Sequence, residues 1–266
     1  MAEGLFEEAV HIREQCFGPD HIEVAASLSK LGAAQTSLGK FDEAYDKLRK
    51  AVKIAITTLG HNHKTVAQML CHLACLYFEA GELMSSEATF EDALEIYRGV
   101  WSTAVDRAAC MTQLTDTLCN VGSIQNRRKR FQAACASFTE ALDLQRGIVP
   151  PDDARIISTL DNLGYSYSKL KDYNGALQCY RKMYRTQISS SSNDSSDTPY
   201  PSAAFESFRK QILMYEKLRR YSEAIDETMQ TLQHQQNVLP PDHDIIIHTE
   251  ELLVDLQQKL RRASDS

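Results

Sequence analysis

The chain has 266 residues, of which 43% are apolar and 24% charged, close to the averages of folded globular proteins and far from those of disordered or collagenous chains. Lys and Arg number 29 against 36 Asp and Glu, a formal charge of −7, which opposes phosphate backbones and anionic lipid surfaces and sets nucleic acid aside as a partner. No apolar run reaches the roughly 18 residues of a membrane span, and the opening MAEGLFEEAVHIREQ carries acids where a secretory signal needs a basic and then apolar stretch. The seven cysteines follow no disulfide spacing, so a cytoplasmic protein with buried, reduced thiols and no membrane insertion is expected.

In chain order the elements repeat. Residues 1–17 read as the second helix of a truncated repeat, because Ala2, Phe6 and Ala9 stand 42 residues before Ala44, Leu48 and Ala51. Helix–turn–helix units are predicted over 22–58, 64–100, 109–147, 153–188 and 202–238, followed by a capping helix over 243–262. The residue that opens each second helix is Phe41, Leu83, Phe131, Tyr173 and Tyr221, spaced 42, 48, 42 and 48. Behind it come a small residue (Ala44, Ser86, Ala134, Ala176, Ala224) and a bulky one (Leu48, Phe90, Phe138, Tyr180 and the weaker Thr228). On the first helices Leu28/Leu31/Gly32, Leu70/Leu73/Ala74, Leu118/Val121/Gly122 and Leu160/Leu163/Gly164 form one apolar stripe, with Phe208/Gln211/Ile212 its degraded fifth copy. Gly or Ala facing Ala lets two helix backbones approach while the bulky columns fill the flanks. The connections are alike too (GPDHIEVA, GHNHKTVA, PPDDARII, PPDHDIII), and Asp20 with Glu23 reads as a cap and its capping partner. Two insertions interrupt the period, one around 100–107 with the single tryptophan, Trp101, and a Ser-rich stretch over 189–201 that reads as a mobile loop.

The order Leu–x2–Leu–Gly/Ala–x2–Tyr, then Ala–x3–Phe–x2–Ala, resembles the tetratricopeptide repeat in a 42-residue form, and the Gly-x-Asp-His-like connections resemble its kinesin light chain class. The resemblance implies an all-α, right-handed superhelical solenoid of antiparallel helix pairs, the whole of 1–266 forming one array. It implies a concave groove, lined by the first helices, for a partner peptide, and hence a non-catalytic scaffold or adaptor without cofactor or small-molecule substrate. The alternative is a regulatory or sensor arm of a larger multidomain protein, packed on its own partner domain. Mapped onto this chain, the groove holds a basic column of Arg127, Lys169, Lys217 and Lys259, together with Asn126, Tyr165, Arg209, Leu213, Cys71, Cys75 and Phe78. The same column reads Ser37 and Glu79 in the first two repeats, so the expected ligand is an acidic peptide with one aromatic anchor.

The chain has no Walker loop, nucleophile elbow or His-Glu-x-x-His. His61-Asn62-His63 with Cys71-His72-x2-Cys75 lacks the paired spacing that zinc sites use, so no metal is expected. Arg127-Arg128-Lys129-Arg130 reads as a solvated turn whose cations complement a helix C-terminus, and Arg261-Arg262-Ala263-Ser264 resembles a basophilic kinase site with Ser264 as acceptor. If the small column sits between paired helices, Ala134→Leu or Ala176→Leu overpacks the pair and costs about 1–3 kcal/mol in denaturant unfolding; a neutral outcome would put the register elsewhere.

Overall fold

A side chain missing from one helix is filled by a large one from the next, and this decides how the helices meet. The computed structural model describes residues 2–101, 107–191 and 200–264. Among the described residues there are twelve α-helices and no strand: α1 (Ala2–Phe17), α2 (Ile22–Ser37), α3 (Phe41–Leu59), α4 (Lys64–Glu79), α5 (Leu83–Trp101), α6 (Arg107–Arg127), α7 (Phe131–Gln145), α8 (Ala154–Lys169), α9 (Tyr173–Ser191), α10 (Ser202–Lys217), α11 (Tyr221–Val238) and α12 (Asp244–Ser264). They gather in two compact units, Met1–Ile148 and Val149–Ser266, with the Pro150-Pro151 connection, unable to continue a helix, at the junction. The first unit stacks α1 on the hairpins α2/α3, α4/α5 and α6/α7, and the second stacks the hairpins α8/α9 and α10/α11 under α12.

At three hairpin crossings the first helix carries glycine where any Cβ would collide. A Cβ on Gly32 would lie 2.6 Å from Leu48 Cγ, one on Gly122 2.7 Å from the Phe138 ring, and one on Gly164 2.7 Å from the Tyr180 ring. The second hairpin uses Ala74 with Phe90, and there the Ser86 hydroxyl donates to the Ala74 carbonyl at 2.7 Å. In the fifth, Ile212 occupies the glycine position and Thr228 the bulky one, both buried, and α10 and α11 approach less closely than the helices of the other four hairpins.

Each hairpin turns through one residue in the left-handed region: Gly39, Gly81, Lys129 (φ 61), Lys171 (φ 62) and Arg219 (φ 55). The following amide reaches back to the same helix position every time, as in Lys40 N–H to Gln35 O, Arg130 N–H to Gln125 O and Arg220 N–H to Tyr215 O, a Schellman-type ending that satisfies an orphan carbonyl. At the opposite ends of the first helices, the caps differ from the expected Asp20. His21, in extended conformation, accepts from Glu23 N–H through Nδ1 at 3.2 Å, so Glu23 contributes its amide and Asp20 stays in the turn. His63 and His243 repeat the bond to Thr65 and Ile245, and Asp153 takes the same place before Arg155.

The Ser-rich stretch 189–201 also differs from a plain loop at both edges. Residues 189–191 extend α9, and Tyr200 is buried against Ala204, Leu239 and Ile246, because an aromatic at that point can close the apolar end of the α10/α11 hairpin. Residues 192–199 lie outside the described residues, as do 102–106 of the insertion beside Trp101. Left-handed backbone costs an L-residue about 1–2 kcal/mol, and the greater freedom glycine gives the unfolded chain costs folding about 0.5–1 kcal/mol. Lys171→Gly is therefore expected to raise the stability of the second unit by roughly 0.5–1 kcal/mol, read from its denaturant midpoint.

Candidate functional site

The candidate surface consists of the first helices, α2, α4 and α6 in one unit and α8, α10 and α12 in the other. In the first unit the helices are tied by polar contacts at repeat-related positions. Ser29 Oγ lies 2.7 Å from His72 Nδ1, linking α2 to α4, and Cys71 Sγ lies 3.4 Å from Thr117 Oγ1, linking α4 to α6. Near the helix ends the Arg127 guanidinium sits 3.9 Å over the Phe78 ring, a cation–π contact between successive repeats. Asn126, one residue earlier, is partly buried, and Cys75 is exposed one turn before Phe78.

In the second unit the same face is set by α8 and α10. Tyr165 is 44% exposed, with Lys169 Nζ 5.1 Å from the centre of its ring. Leu213, 46% exposed, and the exposed Lys217 stand 48 residues on in the same two columns. Lys210 Nζ on α10 reaches Asp161 on α8 at 2.5 Å, and Lys259 on α12 reaches Glu216 on α10 at 2.6 Å. Lys259 is also 2.6 Å from Asp255, and these two carboxylates hold its ammonium above the usual lysine range. Lys259 is thus committed within the chain, Arg209 is 3.4 Å from Glu206, and Lys217 is the member of the basic column with no ion-pair partner or ring contact among the described residues. Between α10 and α12 an open pocket of about 330 Å³ is lined by Arg209, Leu213, Glu216 and Leu252.

The basic run differs from the solvated turn expected of it. Arg128 and Arg130 both grip Glu87 on α5, Arg130 at 2.7 Å, and that carboxylate is only 3% exposed. A buried carboxylate needs such compensation, and the two guanidiniums that supply it come from the next repeat. The period could not disclose this pairing, because Glu87 looks like any other polar residue on a half-polar helix.

The thiols divide by burial. Cys16 and Cys75 are exposed, where buried thiols were expected, and none of the seven cysteines forms a disulfide. Burial pushes the Cys71 thiol up to about 11, which leaves little thiolate for redox chemistry. Among the described residues no three His, Cys, Asp or Glu side chains gather as a metal site, and His63 has its Nδ1 engaged as a helix cap. Ser264 is the last described residue of α12, exposed, its hydroxyl donating to Leu260 O at 3.0 Å.

Burial holds His72 below its ordinary value of 6.5, so the folded chain takes up this proton at lower pH than the unfolded chain does. The stability tied to His72 is full above pH 6.5 and lost as pH falls below it. Unfolding of the first unit should become easier in that window, and His72→Gln should remove this part of the pH dependence; an unchanged slope would exclude His72 as its source.

The tetratricopeptide repeat family matches residues 1–56, 26–99 and 113–188, more than half of the chain. Among curated proteins, KINESIN LIGHT CHAIN-RELATED 1 of Arabidopsis thaliana is 38% identical over 88 residues, 33% of this chain and 14% of that protein. The match therefore spans about one-seventh of the relative's length. Among solved structures, BtubC (BKLC) from P. vanneervenii aligns with a TM-score of 0.67 at 18% identity, covering 91% of this chain and 93% of that one. YrrB, described as a TPR protein with an unusual peptide-binding site, aligns at 0.55 and 12% identity over 94% of this chain and 100% of its own. With its hairpins, turns and small-to-large crossings in register, the chain belongs to the tetratricopeptide repeat family and is kinesin light chain-like within it.

Proposed function

We propose that the chain is a non-catalytic scaffold that takes up a segment of a partner protein along its first helices, and that in the second unit the contact surface is set by α8 and α10. The observation that carries this reading is one pair repeated on successive helices: Tyr165 with Lys169, then Leu213 with Lys217. Each offers an exposed apolar group with a cation one turn later, and the Lys210–Asp161 bond holds the two helices side by side. Exposed apolar groups rimmed by charge are what a partner can bury, and the cations select carboxylates near the buried group. An acidic peptide with an aromatic or large aliphatic anchor fits both.

Family membership supports the scaffold role, and the peptide-binding site ascribed to YrrB supports the ligand class. Phe78 with Arg127 offers a comparable pair in the first unit, flanked by Cys71, Cys75 and Asn126, while Arg209 edges the pocket beside Leu213. Lys259 serves to fix α12 on α10. No helix among the described residues is long and apolar enough to cross a membrane.

Each exposed charge pair contributes only ~0.2–1 kcal/mol and is screened by salt. In titrations with an acidic peptide carrying one aromatic residue, affinity should be modest and fall with ionic strength. Lys169→Glu with Lys217→Glu should weaken binding beyond either change alone, whereas Lys47→Glu in the first unit should do little. Binding indifferent to the double reversal and to salt would place recognition on another face.

A further inference from the structure

Two segments of this chain carry Arg-Arg-x-Ser: Arg219-Arg220-Tyr221-Ser222 and Arg261-Arg262-Ala263-Ser264. As strings they are equivalent substrates for a protein kinase that reads two arginines ahead of the acceptor. The fold separates them. At the first, Arg219 is the left-handed residue of the α10/α11 turn, and Arg220 gives both ends of its guanidinium to Glu223 while reaching Asn174 on α9. Its carbon also lies 5.4 Å from the Tyr215 ring centre. Ser222 stands in the first turn of α11, so presenting this segment as an extended strand means dismantling the hairpin turn.

At the second, Arg261, Arg262, Ala263 and Ser264 are all exposed, and neither arginine has an ion-pair partner among the described residues. The last firmly held positions of α12 precede the motif: Leu256 is fully buried and Lys259 is clamped by Glu216 and Asp255. Helix ends fray readily, and opening α12 beyond Lys259 would free the whole motif while exposing no buried apolar side chain beyond the partly buried Leu260.

We propose that Ser264, and not Ser222, is a phosphorylation site for a basophilic serine/threonine kinase. The kinase would transfer the γ-phosphoryl group of magnesium-bound ATP to Ser264 Oγ, forming the Oγ–P bond as the bond to the bridging oxygen breaks and ADP leaves, with the hydroxyl proton passing to the kinase's catalytic base. The phosphoserine oxygen can no longer donate to Leu260 O, and its charge faces the negative end of the α12 dipole. Modification therefore melts the last turn of α12 and stops at Lys259, leaving the second unit otherwise intact.

The test treats the full chain with the catalytic subunit of a cyclic-nucleotide-dependent kinase and magnesium ATP, followed by intact and fragment mass spectrometry and amide hydrogen exchange. The expected result is one phosphate per chain at Ser264, none after Ser264→Ala, and a rate roughly tenfold lower for Arg262→Ala, the loss of one charge-assisted contact. Exchange should speed up only C-terminal to Lys259. Phosphate on Ser222 at a comparable rate, no phosphate on Ser264 while a free LRRASDS peptide is modified, or faster exchange reaching Leu256 would overturn the proposal.

Discussion

A missing Cβ is the constraint on which this architecture depends. Gly32, Gly122 and Gly164 leave a space one methyl group deep, and Leu48, Phe138 and Tyr180 fill it from the facing helix. Those contacts set the distance between the two helices of a hairpin, and that distance decides where every other column points. On α8 the exposed pair takes its place for this reason: the helix that carries Tyr165 is seated by Gly164, its immediate neighbour in sequence, whereas on α10 the residue beside Leu213 is the buried Ile212. Packing and the proposed recognition use adjacent positions of one helix, one turned inward and one outward.

The second layer of order is electrostatic and acts between repeats. Arg128 and Arg130 on Glu87, Arg181 on Glu227, Lys210 on Asp161 and Lys259 on Glu216 all join one repeat to the next. Apolar columns give such a stack its cohesion but allow sliding along the helix axes, since one Leu replaces another at little cost. Point-to-point charge contacts remove that freedom. Glu87 shows the stakes, because a carboxylate buried to 3% exposure is stable only while the neighbouring repeat is docked, which couples the α4/α5 and α6/α7 hairpins.

The hairpin columns were legible in the sequence because they obey a period, and a buried column must keep its residue type from repeat to repeat. Thr228 looked like a weak member and is explained by Ile212, where the bulk has crossed to the other helix. The caps and the charge network were less legible. His21 could be found only by asking which residue has extended backbone before the first helical turn, and Asp20 is the residue that capping preferences favour. The partners of Arg128, Lys210 and Lys259 are chosen by the reach of long side chains across a curved surface, so their separations of 41, 49 and 43 residues scatter around the repeat length. A linear motif of cations cannot say which members are already spent; of the basic column, the packing leaves Lys217 without an ion-pair partner among the described residues, sets Lys169 on a tyrosine ring and takes Lys259 for itself.

The histidine caps carry one further consequence. At His21, His63 and His243 the Nδ1 atom accepts a backbone hydrogen bond, so in the neutral ring the hydrogen must reside on Nε2. Three imidazoles far apart in the chain are thereby fixed in one tautomer. In a nitrogen-15 spectrum they form a matched set, each with an acceptor-type Nδ1 resonance and a protonated Nε2, and the loss of that signature from one ring reports the opening of one particular helix start.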